Sequence, residues 1–177
     1  RHASDNREEI ARASAALDHA AGGARVAIVS GGDPGVFAMA AAVCEAIDSG
    51  PAAWREIEIR VVPGITAMLA VAAAVGAPLG HDFCAISLSD NLKPWDLVER
   101  RLDAAASAGF AIALYNPASK ARPWQLGAAF DRLRQHLPPA TPVIFGRAVG
   151  RADERVTVAA LADADPAHAD MATLVII

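Results

Sequence analysis

The sequence predicts an α/β fold, and three observations carry that reading. Two short β-branched runs, Val26-Ala27-Ile28-Val29 and Ile57-Glu58-Ile59-Arg60-Val61-Val62, each lead into a tight glycine turn, Gly31-Gly32-Asp33-Pro34 and Pro63-Gly64-Ile65-Thr66. Each turn precedes a long Ala-rich apolar stretch. Beyond Gly80 strand-like and helix-like patterns keep alternating to the last residue, the order expected of an α/β chain. In open α/β sheets, turns at the carboxyl ends of parallel strands are where ligands bind.

The elements follow in order. Ser4-Asp5-Asn6 with Glu8 and Glu9 offers a capped helix start, and Gly22-Gly23 ends that helix after Ala21. A strand is expected over Arg25 to Ser30. Asp33 then serves as N-cap and Pro34 as first residue of a helix to Asp48, burying Val36, Phe37, Ala40, Val43, Cys44 and Ile47 at helical spacing. A second strand covers Glu56 to Val62. The helix from Thr66 to about Val75 is apolar all round and should be buried on every side. Gly76-Ala77-Pro78-Leu79-Gly80 is the expected lobe boundary, giving lobes 1–80 and 81–177.

Past that boundary come a strand over Phe83 to Leu88 and a helix from Pro94 to Ala108, with Asp96 and Glu99 near its positive end. A strand over Phe110 to Tyr115 leads into a loop in which proline holds Asn116 extended. A helix from Trp124 to His136 follows. Strands over Pro142 to Phe145, near Arg155 to Val158, and over Ala172 to Ile177 complete the reading. The chain opens on Arg1 and stops inside an apolar strand, so it reads as part of a longer protein truncated at both ends.

Composition narrows the function. The chain has 177 residues, 54% of them hydrophobic and 20% charged, a globular composition. A formal net charge of −4 argues against a nucleic-acid partner held by a broad basic face. Cys44 and Cys84 sit in apolar runs and read as buried small hydrophobes. The five histidines show no metal-ligand spacing, so no metal is expected. With no secretory leader and no long apolar span, the chain reads as soluble and cytoplasmic.

Chemistry is expected at four loops. An aspartate at the tip of the first glycine turn competes with phosphate for the backbone N–H groups, so the turn suits a ligand carrying hydroxyls or positive charge. Each turn alone reads more readily as a structural turn-and-cap; their pairing after successive strands favours a binding role. The other two loops are Ser87-Leu88-Ser89-Asp90-Asn91-Leu92-Lys93-Pro94-Trp95 and Leu114-Tyr115-Asn116-Pro117-Ala118-Ser119-Lys120, the latter running on to Arg122. A helix cap and a solvated connector are the plainer readings of these two.

Ser30-Gly31-Gly32-Asp33-Pro34-Gly35-Val36-Phe37, together with Val61-Val62-Pro63-Gly64-Ile65-Thr66-Ala67, resembles the tetrapyrrole methylase family, the class III methyltransferases. Three further stretches resemble its branch acting on precorrins in cobalamin biosynthesis. These are Ser4-Asp5-Asn6-Arg7-Glu8-Glu9-Ile10, Ile86-Ser87-Leu88-Ser89-Asp90 with Pro94-Trp95, and Tyr115-Asn116-Pro117 with Ser119-Lys120. The resemblance implies two lobes, an N-terminal one with a mostly parallel sheet and a C-terminal one with a mixed sheet and flanking helices, in a homodimer. It implies S-adenosylmethionine as cofactor, at Gly31, Gly32, Asp33, Val36, Thr66, Ala67, Asn116 and Ala148. It also implies methyl transfer to carbon 17 of a precorrin with contraction of the ring. The family's opening strand and Gly-Pro-Gly loop have no counterpart in this sequence.

Methyl transfer asks mainly for alignment, whereas ring contraction needs proton transfers. Asp90, Lys93, Tyr115 and Lys120 are the candidates for these. A polycarboxylate substrate calls for positive charge, for which Arg100, Arg101, Lys120, Arg122 and Arg147 are available, with Lys120, Arg122 and Arg147 preferred. Two alternatives stay open: another class III methylase acting on uroporphyrinogen, ribosomal RNA or protein, and a non-catalytic nucleotide-binding module.

Overall fold

The computed structural model describes residues 9–90, 93–119 and 122–177. It divides into two compact units, Arg1–Thr66 and Ala67–Ile177. The division falls at Thr66, ahead of the Gly76–Gly80 punctuation, because the helix after Thr66 packs on the sheet of the second unit.

The first unit holds α1 (Glu9–Ala21), α2 (Met39–Ser49) and a 3-10 turn over Ala52–Glu56. Ala13 and Leu17 of α1 meet Met39, Ala42, Val43 and Ala46 of α2, and Trp54 of the 3-10 turn closes the cluster. Gly50 leaves room for Trp54, whose ring a Cβ there would strike. As expected, α1 ends at Gly22-Gly23, with Gly23 at φ +88°.

Three expectations for this unit are corrected. Residues 24–30 and 57–65 run as non-helical chain, but among the described residues neither joins a sheet. β-branched side chains favour extended backbone, yet a strand exists only when a neighbour takes up its N–H and C=O groups. Val29, Val62 and Ile65 accordingly remain largely exposed. Second, α2 begins at Met39, five residues later than Pro34: Phe37 has φ +50° and Asp33 is used elsewhere. The buried stripe is Met39, Ala42, Val43 and Ala46, and Phe37 is half exposed. Third, Cys44 turns outward to solvent.

The second unit is one five-stranded sheet in the order β1-β2-β5-β3-β4, with β1 Phe83–Ser87, β2 Ala111–Tyr115, β3 Pro142–Arg147, β4 Arg155–Ala160 and β5 Thr173–Ile176. β1 and β2 are parallel; β5 lies antiparallel between β2 and β3, and β4 is antiparallel to β3. Alternation along each strand divides the side chains between two faces. Ile112, Leu114, Val143, Phe145 and Val175 meet α4 (Trp95–Ser107) and α5 (Gln125–Leu133) through Val98, Leu102, Leu126, Ala129, Phe130 and Leu133. Ala113, Ile144, Leu174 and Ile176 meet α3 (Ala67–Ala74) through Met68, Val71 and Ala72. Gly146 on that face sits against Val71, where a Cβ would collide with the valine methyls. α3 is thus buried on one face only, and Leu69 is half exposed, contrary to the all-round burial its composition suggests. Cys84 is half-buried on the edge strand β1, and burial pushes its thiol pKa up. Among the described residues no helix is long and apolar enough to cross a membrane.

One polar cluster ties α4 to the end of α5. Asp103 accepts from Arg132 Nε at 2.7 Å and Nη2 at 2.6 Å, and its Oδ1 lies 2.9 Å from His136 Nε2. The hydrogen bond from Arg132 above all holds the Asp103 carboxyl below its ordinary range, against the opposing effect of partial burial. A carboxylate depressed in the folded state contributes stability that is complete above the unfolded value, about 4, and lost as pH falls through the folded one. The melting-temperature gap between wild type and Asp103→Asn should therefore be open at neutral pH and close on acidification below about pH 4. A gap unchanged in acid contradicts this account of the cluster.

Candidate functional site

In the first unit the site is built around one carboxylate. Asp33 Oδ1 accepts from the Gly35 N–H at 2.7 Å, and Oδ2 accepts from the Gly64 N–H at 3.0 Å. Asp33 is therefore not a helix cap, as the sequence suggested; it spans the two glycine turns. The Val36 N–H closes a turn onto the Asp33 carbonyl at 3.3 Å. The turns touch backbone to backbone: a Cβ on Gly64 would land on the Gly32 carbonyl oxygen. Gly32 has φ +74°, which L side chains rarely adopt. Gly32, Pro34, Pro63 and Gly64 line a groove of about 870 Å³ that continues between residues 24–30 and 57–62. Gly31, Gly32, Asp33, Val36 and Thr66 all belong to this unit; Thr66 is buried.

In the second unit the site residues gather where the parallel strands β1 and β2 end. Asn116 directly follows β2 at φ +53°; the expected extended conformation is overruled, and asparagine is among the residues that tolerate this region. Its Nδ2 donates to Ser87 Oγ at 2.9 Å, and the same oxygen accepts from the Ser89 N–H at 3.3 Å. Lys93 Nζ donates to the Ser87 carbonyl at 2.7 Å. Burial, and secondarily the charge of Arg101, lower the Lys93 pKa. Tyr115 Oη accepts from the Met68 N–H at 3.1 Å, so this hydroxyl caps the start of α3. Asp90 Oδ2 accepts from Gln125 Nε2 at 3.3 Å.

Ala148, just past β3, has φ +48° and is buried; its N–H donates to the Ala172 carbonyl at 2.9 Å. Backbone held in this region costs a non-glycine residue of order 1 kcal/mol, and such strain clusters at functional sites. Among the described residues no group of His, Cys, Asp and Glu could hold a metal ion.

The candidate cations are placed unequally. Arg147 is committed: Nε donates to Asp170 at 2.8 Å and Nη1 to Asp153 at 2.7 Å. These bonds, to Asp153 first, push its guanidinium further above its ordinary range. It staples the β3 end to two loops. Arg100 pairs with Asp96 on the surface of α4, and Arg101 lines an apolar groove with Cys84 and Phe110. Arg122 is paired to Ser119 through backbone bonds of 3.1 and 3.0 Å, and its Nη1 is buried with no partner. Lys120 lies outside the described residues. Sequence reasoning placed Ser87 in a loop expected to carry chemistry but gave it no role, and it organises the β1–β2 end; it missed Gln125, buried and bonded to Asp90. A polar residue on an otherwise apolar helix stripe, Gln125 next to Leu126 and ahead of Ala129, was the available signal.

The comparisons with known proteins agree with this architecture. The family model for tetrapyrrole (corrin/porphyrin) methylases matches residues 1–165. A precorrin-3B C(17)-methyltransferase of Sinorhizobium sp. is 70% identical over 177 residues, all of this chain and 70% of the relative. A crystal structure of the methyltransferase CobJ superposes with a TM-score of 0.94 at 54% identity, covering 99% of this chain and 73% of that one. A uroporphyrin-III C-methyltransferase from Thermus thermophilus, solved with S-adenosylhomocysteine, shares the fold at a TM-score of 0.67 and 20% identity. The chain belongs to the tetrapyrrole methylases, a family of methyltransferases. Tetrapyrrole methylases use S-adenosylmethionine as methyl donor.

The bridging geometry predicts how the turns respond to change. Asp33→Asn keeps one acceptor oxygen and sets an NH2 group against a backbone N–H, so the first unit should lose about 1–3 kcal/mol. Gly64→Ala should cost at least as much, because the collision is with backbone that cannot turn aside. Denaturant melts in a Trp95→Phe, Trp124→Phe background, where Trp54 is the remaining tryptophan, measure both, and unchanged midpoints would show that the turns stand without the bridge.

Proposed function

We propose that this chain methylates carbon 17 of a precorrin with S-adenosylmethionine as donor, contracting the ring and so converting precorrin-3B to precorrin-4 in cobalamin biosynthesis. The observation that carries the proposal is the 70% identity, over the whole chain, to a protein of that name.

In this reading Gly31, Gly32, Asp33, Val36, Thr66, Ala67, Asn116 and Ala148 serve cofactor binding. The Asp33 carboxylate is consumed in holding the turns, so its part is to fix backbone groups and to bring negative charge near a cationic ligand. S-adenosylmethionine supplies an electrophilic methyl group; the protein's task in that step is alignment. Ring contraction requires protons to move, and in this reading Asp90 and Lys93, in the loop after β1, move them. Asp90 has one oxygen held by Gln125, and Lys93 is an ammonium destabilised by burial. Arg122 and Lys120 would receive substrate carboxylates. A cytoplasmic homodimer is the form we propose for the whole protein.

Two measurements test this. Titration with S-adenosylhomocysteine should give saturable heat for wild type and a marked loss of affinity for Asp33→Ala. Incubation with methyl-labelled S-adenosylmethionine and precorrin-3B should place label on carbon 17. Cofactor binding without labelling of precorrin-3B, but with labelling of uroporphyrinogen, would move the chain to another branch of the family.

A further inference from the structure

β1 is an edge strand: among the described residues it pairs only with β2. Natural edge strands are usually blunted by a charge, a proline or a bulge. β1 carries neither charge nor proline; it reads Phe83-Cys84-Ala85-Ile86-Ser87. The bonds to β2 show which of its backbone groups stay open. The Asp82 carbonyl accepts from the Ala111 N–H at 3.0 Å, and the Leu88 N–H donates to the Tyr115 carbonyl at 2.9 Å. Backbone groups alternate sides along a strand, so residues 82, 84, 86 and 88 face β2, while Phe83, Ala85 and Ser87 face outward. Lys93 Nζ reaches the outward Ser87 carbonyl, in agreement. Phe83 and Ala85 are exposed and offer solvent their N–H and C=O groups.

The surface beside this open edge is apolar. A groove of about 550 Å³ runs between β1 and α4, lined by Cys84, Ile86, Arg101, Ala104, Ala108 and Phe110 among others. Charge is spread unevenly along it. At the start of β1 stands the exposed Asp82. At the other end Lys93 holds the Ser87 carbonyl, its pKa lowered by burial and then by the nearby charge of Arg101. An edge that is acidic at one end and basic at the other is complementary to itself when turned end for end. Antiparallel pairing of two such strands makes that turn.

We infer that β1 is where two copies of this chain meet, its open edge pairing antiparallel with its own counterpart about a two-fold axis at Ala85. Ala85 then faces Ala85 of the second copy, and Phe83 faces Ser87, so the outward backbone groups of each strand answer those of the other. Asp82 of each copy falls beside Arg101 of the other. The axis keeps both α4 helices on one side of the joined sheet, so the two apolar grooves close against each other and leave water. The inference rests on the homodimer proposed above and names its surface.

Sedimentation equilibrium of the full chain tests this, with circular dichroism to report the fold. Wild type should sediment as a dimer. Ala85→Pro removes an outward N–H and leaves the β2 ladder whole, a place where edge strands accept proline. It should weaken the dimer by about tenfold or more. Arg101→Glu sets carboxylates against each other and should cost about tenfold, and adding Asp82→Arg should restore the dimer. In a Cys44→Ser, Cys84→Ser background, Ala85→Cys should give a disulfide-linked dimer on mild oxidation, because directly opposed strand residues lie within disulfide reach. Val158→Cys, exposed on the far edge strand β4, should not. A wild-type dimer that survives both substitutions, or that does not cross-link through Ala85→Cys, overturns this surface and leaves the homodimer standing. A wild type that sediments as a monomer overturns both and leaves the methyl-transfer reading untouched. Should Ala85→Pro lose the fold, the charge exchange and the cross-link decide.

Discussion

The candidate site of the first unit depends on a single carboxylate shared by two turns. Asp33 reaches the Gly35 and Gly64 N–H groups with its two oxygens, and that bridge explains the glycines around it. Gly64 must be glycine because the Gly32 carbonyl occupies the space of its Cβ, and Gly32 must be glycine because its φ is +74°. The bridge also explains why α2 starts late. A residue whose side chain faces backward onto Gly64 cannot cap the helix ahead, and Phe37 at φ +50° delays regular backbone to Met39. Backbone carbonyls and amides are thereby fixed without a ligand present, which is the preorganisation that alignment chemistry needs.

In the second unit the constraint is the antiparallel strand β5, inserted between β2 and β3. It joins the parallel pair β1–β2 to the hairpin β3–β4, and its side chains alternate between the two cores. With both faces packed, the ends of β2 and β3 are firm supports, and each is followed by a non-glycine residue in left-handed backbone, Asn116 and Ala148. Local strain of this kind persists only where the surroundings enforce it. The Ser87–Asn116–Lys93 bonds and the Ala148–Ala172 bond are that enforcement.

The sequence was most legible where one face or two faces of an element are buried. β1 to β5, α4 and α5 follow from alternation and helical spacing to within a few residues, since burial imposes the period being read. It was least legible where a neighbour decides. The segment around Ile57 to Val62 has strand composition, but propensity cannot say whether a ladder partner is there. Cys44 looked buried because it adjoins Val43 on an apolar run, but packing against α1 and Trp54 selects the neighbouring stripe of Met39, Ala42, Val43 and Ala46. Glycine turns were readable as a pair; the Asp33 bridge between them was not, since a carboxylate ahead of proline looks the same whether it caps a helix or crosses to another turn. Arg147 shows the same limit: its charge is plain in the sequence, but Asp153 and Asp170, which neutralise it, are brought close only by folding. Gln125 went unread because one amide at the start of a helix carries no weight until its burial is known.

The central claim is that the Asp33-bridged turns form the cofactor-binding part of the first unit. Backbone amide chemical shifts, followed residue by residue while S-adenosylhomocysteine is added, test it most directly. The account predicts saturable shifts at Gly31, Gly32, Asp33, Gly64 and Thr66, abolished together in Asp33→Ala. Saturable shifts elsewhere in the chain, with these five amides unmoved, would contradict it.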